Sequence, residues 1–266
     1  PQRVARLVCN IYEPESNKPF EIDPRFILKK AMDDSRRSLG SSVTYNACSE
    51  IEYFLFRKND DGNIKRYDEG GYLASPPTDL GIDVRLEITE SLRNIGITVE
   101  KHHHEVPPGK YELNLVYTDA LRMADIIYLV KFIVKMTASR RGLVASFMPK
   151  PFHDGYGAGL HTHVSLIDDK KSQNLFYDPK GSYGLSDTAL HFIAGILTHA
   201  KGLAAVTSPS VNSYKRLVPG WEAPVYLSWA KYNRSVLIRV PPGKEMRTRV
   251  EYRPTDGSCN FYVAFA

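Results

Sequence analysis

Cysteine is scarce: Cys9, Cys48 and Cys259 stand far apart and are odd in number. They form neither a disulfide framework nor a C-x-x-C metal site, and a reducing, cytoplasmic setting fits such usage. Long apolar runs are also lacking. ADIIYLVKFIVKM, read here as the longest, is interrupted by Asp125, Lys131 and Lys135, and is too short and too charged to span a membrane. No signal peptide is visible, so no membrane partner is expected. Charge of one sign is in small excess, 35 basic against 30 acidic residues for a net +5. With no RNP-type aromatic signature, zinc-finger spacing or long Lys/Arg run beside it, nucleic acid is not the expected partner. Walker and kinase-type glycine-rich loops, internal repeats and low-complexity tracts are all missing.

What is present is an ordinary globular composition, 42% hydrophobic and 24% charged over 266 residues, enough for a sizeable core. The chain opens at Pro1 and stops inside the apolar run FYVAFA, which reads as a piece cut from a longer protein. Four segments carry helical patterning. The first begins at Asp23 as N-cap with Pro24 behind it and stops at Gly40. A second lies within residues 78 to 95, after the turn SPPTD. The third is capped by Thr118 and stopped by Gly142, and the fourth starts at Ser186. Between them, RVARLVCNIY, EIEYFLFRK, YELNLVY, LVASFM, GLHTHVSLI, PVYLSW, SVLIRV and RTRVEYR read as strands. This mixture predicts one α+β domain, a largely antiparallel sheet backed by long helices.

Several strands carry charge where a sheet ordinarily wants apolar residues. In SEIEYFLF, Glu50 and Glu52 point the same way, followed on that face by Phe54 and Phe56. Like charges roughly 6 to 7 Å apart repel unless a cation lies between them. In GAGLHTHVS, His161, His163 and Ser165 share one face and Leu160, Thr162 and Val164 the other. In HHHEVPPGKYELNL, the VPPGK turn returns Glu105 and Glu112 to one end of a hairpin. In MRTRVEYRP, alternation puts Arg247, Arg249, Glu251 and Arg253 on one face, with Arg234 and Arg239 nearby in NRSVLIRV. Solvated strand ends and ion-pair ladders are the plain alternatives. Carboxylates with imidazole describe a hard divalent-cation site, Mg²⁺ or Mn²⁺, rather than a thiolate zinc site. Arginines beside such a site suit phosphoryl transfer from ATP.

In this order, SEIEYFLF, HHHEVPPGKYE, FMPKPF with GAGLHTHVSL, NSYKRLVPGWEAP, YNRSVLIRVP and RVEYRPTDGSCNFYVAFA resemble the catalytic domain of the glutamine synthetase family. The resemblance spans most of residues 1–266. It implies a curved sheet, ATP as cosubstrate and two or more Mg²⁺ or Mn²⁺ ions per site. By resemblance, Glu52, Glu105 and Glu112 hold one ion, and Glu50, His161 and Glu251 hold the other. Gly157, Arg216 and Arg253 match positions that bind glutamate; His163, Ser165 and Arg249 match nucleotide contacts. Arg234 and Arg239 match phosphate-facing arginines, and Glu222 matches a flap glutamate that shields the intermediate and helps deprotonate ammonium.

The implied reaction is a two-step ligation. The γ-carboxylate of L-glutamate attacks the ATP γ-phosphoryl group, and ammonia then displaces phosphate from γ-glutamyl phosphate. One departure is Tyr156, which stands where the family has Asn just before the matched glycine. It keeps open a γ-glutamyl-amine ligase using a polyamine or methylamine. A non-catalytic scaffold homologue is a further alternative. The family's N-terminal β-grasp domain and C-terminal helical region have no counterpart in these residues. The resemblance implies a homo-oligomeric ring with active sites between subunits for a complete protein, and little or no synthetase activity is expected of this chain alone.

Overall fold

The computed structural model describes residues 5–59 and 62–266. Among them, six helices are α1 (Pro24–Leu39), α2 (Ile82–Asn94), α3 (Ala120–Arg140), α4 (Asp187–Thr207), α5 (Val211–Arg216) and α6 (Phe261–Phe265). Strands β1 (Val43–Lys58), β2 (Ile64–Arg66), β3 (Val99–His104), β4 (Lys110–Leu115), β5 (Thr118–Asp119) and β6 (Leu143–Ser146) come first. They are followed by β7 (Leu160–Asp168), β8 (Gln173–Asn174), β9 (Tyr226–Lys231), β10 (Val236–Val240) and β11 (Val250–Tyr252). All belong to one sheet whose main path runs β3-β4-β1-β7-β11-β10-β9. Pairing is antiparallel apart from β9 with β10, so the expected α+β architecture with a largely antiparallel sheet holds.

Period-two alternation divides this sheet into two chemically different faces. Ile51, Tyr53 and Leu55 of β1, Tyr111, Leu113 and Leu115 of β4, and Leu160, Val164 and Leu166 of β7 pack under the helices, with Met123, Ile127 and Val130 of α3. Fully buried residues of this kind contribute roughly 1.5 to 3 kcal/mol each. The other face carries Glu50, Glu52, Lys110, Glu112, His161, His163 and Glu251. Beside them Phe54, Phe56, Phe152 and Ala158 form a small separate apolar cluster, with Phe54 and Phe56 stacked at 5.8 Å.

Asp23 and Ser186 cap α1 and α4 as expected, accepting from Arg25 N–H at 3.3 Å and Ala189 N–H at 3.2 Å. The cap of α3 is Asp119 rather than Thr118. Its carboxylate reaches Arg122 N–H at 3.0 Å, while Thr118 is occupied in the β5 ladder opposite Ala47. The expected first strand does not form over residues 5–12, and its first two residues, 3 and 4, lie outside the described residues. Only Tyr12 makes an isolated bridge, to Pro19, and Leu7, Val8 and Ile11 remain exposed, so the segment's apolar residues are not packed against the sheet among the described residues. The RTRVEYR strand shortens to three residues because Arg247 ends a 3₁₀ turn (Glu245–Arg247), which removes it from the alternation. The run placed in α3 is not the longest apolar one. Among the described residues, α4 is the one helix long and apolar enough to cross a membrane, by length and composition alone. Its Ala189, Ile193 and Ala200 pack instead on the core, flanked by half-buried Leu190, Phe192, Ile196 and Leu197.

Candidate active site

Register assembles the polar face. β1 pairs with β7 so that Glu50 lies opposite His161, and β11 pairs with β7 so that Glu251 lies opposite His163. β10 then brings Arg239 opposite Glu251. His161 Nδ1 stands 3.1 Å from Glu50 Oε2 and 3.7 Å from Glu251 Oε1, and His163 Nε2 stands 3.1 Å from Glu50 Oε1. Glu251 is fully buried between two guanidinium groups, accepting from Arg253 Nη1 at 2.5 Å and from Arg239 Nε. Burial pushes both carboxyls up, but it is overcome. Hydrogen bonds from His161 and His163 carry Glu50 well below the usual carboxylate range, and the positive charge of His163, His161 and Arg253 lowers Glu251.

A second group forms at the β3–β4 hairpin. His103 lies 3.6 Å from Glu105 Oε1 through Nδ1 and 3.4 Å from Glu112 Oε1 through Nε2. Burial, then the charge of Glu52, pushes the Glu105 carboxyl up to about 7. A carboxyl kept protonated near neutrality by burial, with other carboxylates beside it, is one where a metal cation can take the proton's place. Ligand atoms of Glu50, His161 and Glu251, and of His103, Glu105 and Glu112, converge closely enough for each group to share an ion. Oxygen donors with single imidazoles are the donor set of a hard divalent cation; the first group fits one, while the second shares its recess with the Lys110 ammonium, 3.9 Å from Glu105 Oε2. Glu52, expected with Glu105 and Glu112, is held elsewhere: its Oε2 meets Lys110 Nζ at 2.7 Å and Gly159 N–H at 2.6 Å. Burial opposes ionisation of Glu52, yet Lys110 brings it down to about 2.

The hairpin is anchored by a residue the sequence reading did not single out. Asp68 accepts from Gly109 N–H at 2.8 Å, Tyr111 Oη at 2.6 Å and Leu80 N–H at 3.2 Å, and pairs with His104 Nε2 at 2.9 Å. Arg85 and Asp79 form a buried pair alongside, and Arg85 Nε donates to His102 Nδ1 at 3.1 Å. The three consecutive histidines thus have three roles, where the sequence offered only a polar strand end as the plain reading. No local pattern marks Asp68 as their anchor, since its partners lie up to 43 residues away.

Both groups open onto one cavity of about 230 Å³. Glu50, Glu52, Glu105, Glu112, His161, Gly157, Arg216, Glu222, Arg234, Arg239, Arg249 and Arg253 all line it. Glu251 lies just behind that wall, and His163 is reached through Arg249, whose Nε donates to His163 Nδ1 at 3.2 Å. Ser165 lies farther along β7, opposite Asn46 and off the cavity wall. Arg216 is buried, donating to Pro254 O at 2.9 Å and Arg253 O at 3.1 Å, with Nη2 at 3.4 Å from His161 Nε2. Close approach requires glycine beneath it: a Cβ on Gly159 would lie 2.4 Å from Arg216 Nη2, and one on Gly157 would lie 2.3 Å from Pro149 O. Glu222 has φ +55 and pairs with Arg234 Nη1 at 3.1 Å, while its carbonyl accepts from Arg253 Nη2 at 3.1 Å. Tyr156 lines the same cavity, packed edge-on against Trp221 with ring centroids 5.3 Å apart.

Residues 21–266 match the family model for the glutamine synthetase catalytic domain. Glutamine synthetase of Thermus thermophilus is 46% identical over 99% of this chain and 58% of its own length. That of Clostridium saccharobutylicum is 48% identical over 99% of this chain and 59% of its own. A cryo-EM structure of Plasmodium falciparum glutamine synthetase superposes with a TM-score of 0.85 at 30% identity, covering 95% of this chain and 55% of that one. The chain therefore spans about three-fifths of the length of the curated relatives it matches.

Proposed function

Because the chain belongs to the glutamine synthetase family, by its catalytic domain, we propose that it carries the site for ATP-dependent ligation of ammonia to L-glutamate. The products are L-glutamine, ADP and phosphate, with γ-glutamyl phosphate between the two steps. The observation that carries this reading is the meeting of two carboxylate–imidazole groups with five arginines on one cavity. A scaffold would have no need to hold such charges against their repulsion.

Glu50, His161 and Glu251 would hold one Mg²⁺ or Mn²⁺, and Glu105 and Glu112 belong to the second group. A divalent ion held there would supply positive charge to the phosphate oxygens and so favour transfer of the γ-phosphoryl group. The remaining work falls to the chain. Arg234, Arg239 and Arg249 present guanidinium groups to the transferred phosphoryl and the nucleotide, with His163 behind Arg249. Arg216 and Arg253, with the backbone of Gly157, face the amino-acid substrate. Arg239 and Arg253 are oriented by Glu251, so their donors are set before substrate arrives. Glu222, on the segment braced by Arg234 and Arg253, shields the acyl phosphate from water and accepts a proton from ammonium. Ser165, off the cavity wall, is retained only as a nucleotide-side candidate.

A second reading is favoured by the Tyr156–Trp221 pair, which puts an aromatic wall beside the substrate arginine. It is a γ-glutamyl-amine ligase, in which a polyamine or methylamine replaces ammonia. We further propose residues 1–266 as the catalytic domain of a ring-forming homo-oligomer with sites between subunits. Free Cys9, Cys48 and Cys259 support a reducing, cytoplasmic compartment.

The test measures phosphate release from ATP with Mg²⁺ and L-glutamate, ammonium being compared with a panel of amines and the product identified by mass. It is run on a protein of full family length carrying this sequence. Glutamine from ammonium supports the main reading, preference for a larger amine supports the second, and no turnover with any amine refutes both. Robust glutamine formation by residues 1–266 alone would refute the expectation that these residues have little or no synthetase activity by themselves.

A further inference from the structure

Lys110 has no part in the function described above. It is a buried lysine, 3% exposed, whose ammonium enters the acidic half of the cavity near Glu52, Glu105 and Glu112. Alternation along β4 sends Lys110 and Glu112 to the site face and Tyr111 into the core. Across the ladder, Glu112 lies opposite Glu52, and Lys110 opposite Phe54. Glu52 is thus the diagonal neighbour of Lys110, within reach of a long side chain. The ammonium stands 2.7 Å from Glu52 Oε2 and 3.9 Å from Glu105 Oε2. That same Glu52 oxygen also accepts Gly159 N–H at 2.6 Å. The residues whose ligand atoms converge on this side are His103, Glu105 and Glu112, without Glu52.

Two carboxylates directly opposite on neighbouring strands repel, and a buried ammonium beside them offsets that repulsion as a bound ion would. An ammonium and a divalent ion in the same recess also repel each other, most strongly where solvent is excluded. We infer that Lys110 is the resident cation of this half of the site. The chain then holds one tightly bound divalent ion, at Glu50, His161 and Glu251, and Glu52 serves as counter-ion to Lys110 rather than as a metal ligand. This rests on the metal-dependent reading of the site given above.

The test counts ions rather than turnover. Mn²⁺ is titrated into the chain without nucleotide, and unbound Mn²⁺ is followed by its EPR signal. One tightly bound ion per chain is expected. Lys110→Gln keeps a donor for Glu52 but removes the charge, and it should gain a second ion at least about tenfold more tightly than the unaltered chain takes one. Lys110→Arg and Glu52→Gln should both stay at one. Two ions of comparable affinity in the unaltered chain would overturn the inference, as would a folded Lys110→Gln that gains none. If Lys110→Gln does not fold, Glu52→Gln decides alone: an unchanged count supports the assignment and loss of an ion overturns it. Failure of the chain and every variant to bind Mn²⁺ would instead overturn the metal reading itself, and this inference with it.

Discussion

Asp68→Asn would put an amide where a buried carboxylate accepts from both of its oxygens. Oδ1 faces Gly70 N–H at 3.3 Å, Gly109 N–H at 2.8 Å and His104 Nε2 at 2.9 Å; Oδ2 faces Leu80 N–H at 3.2 Å and Tyr111 Oη at 2.6 Å. Whichever way the amide turns, its NH₂ meets at least one backbone N–H. The better orientation abandons Leu80 and loses the charge felt by His104. One lost charge-assisted bond and one buried unsatisfied donor come to roughly 3 kcal/mol. Titration provides a second route to the magnitude. Burial raises the Asp68 carboxyl, but hydrogen bonds from His104 and Tyr111 bring it down to about 2. Against an unfolded value of about 3.9, that is roughly 2.5 kcal/mol before any allowance for solvent screening.

The sign follows from the depressed folded value. The contribution of Asp68 is fully present above the unfolded pKa and is lost as pH falls through about 2. Urea unfolding near neutral pH should find Asp68→Asn about 2 to 3 kcal/mol less stable, equivalent to a midpoint lower by roughly 4 to 12 °C. The gap between the two proteins should narrow as pH falls from about 4 toward 2. A loss below about 0.5 kcal/mol, or a gap that does not narrow with acid, would refute the assignment of Asp68 as the anchor of the hairpin.

Three further outcomes are expected. Glu251→Gln, which removes the charge shared by Arg239, Arg253 and His161, should abolish divalent-metal-dependent ATP binding, as read by calorimetry; unchanged binding would count against Glu251 as a ligand. Gly159→Ala would push a methyl carbon to 2.4 Å from Arg216 Nη2 and 2.8 Å from His161 Nε2. It should cost about 1 to 3 kcal/mol of stability and weaken Mn²⁺ binding, both measured on the purified variant. Tyr156→Asn removes the ring packed on Trp221 and should raise phosphate release with ammonium relative to larger amines. An unaltered ratio would show that Tyr156 does not select the acceptor.

The faces of the sheet were legible because alternation is a local property. Glu50 with Glu52, His161 with His163, and Glu105 returning toward Glu112 all follow from strand period and a turn. The same local reasoning failed where a partner was required. Residues 5–12 have strand-like composition but form no strand. RTRVEYR alternates through Arg247, yet a 3₁₀ turn ends there. Lys110 was passed over as a turn residue, although two positions before Glu112 it necessarily shares that residue's face. Asp68 could not have been found by spacing, because its hydrogen-bond partners come from two other segments of the chain.

Residue type and order were enough to set the α+β class, the apolar and polar faces of each long strand, and the inventory of carboxylates, imidazoles and guanidinium groups. The ordered motifs also carried the family resemblance. These follow from residue type and short-range period, which need no knowledge of what lies across the sheet. Tertiary structure alone decided which charges meet. Register placed Glu50 opposite His161 and Arg239 opposite Glu251, grouped Glu105 and Glu112 with His103, and gave Glu52 to Lys110. A one-residue slip in any of these ladders would leave the composition unchanged and turn the site's side chains to the opposite face.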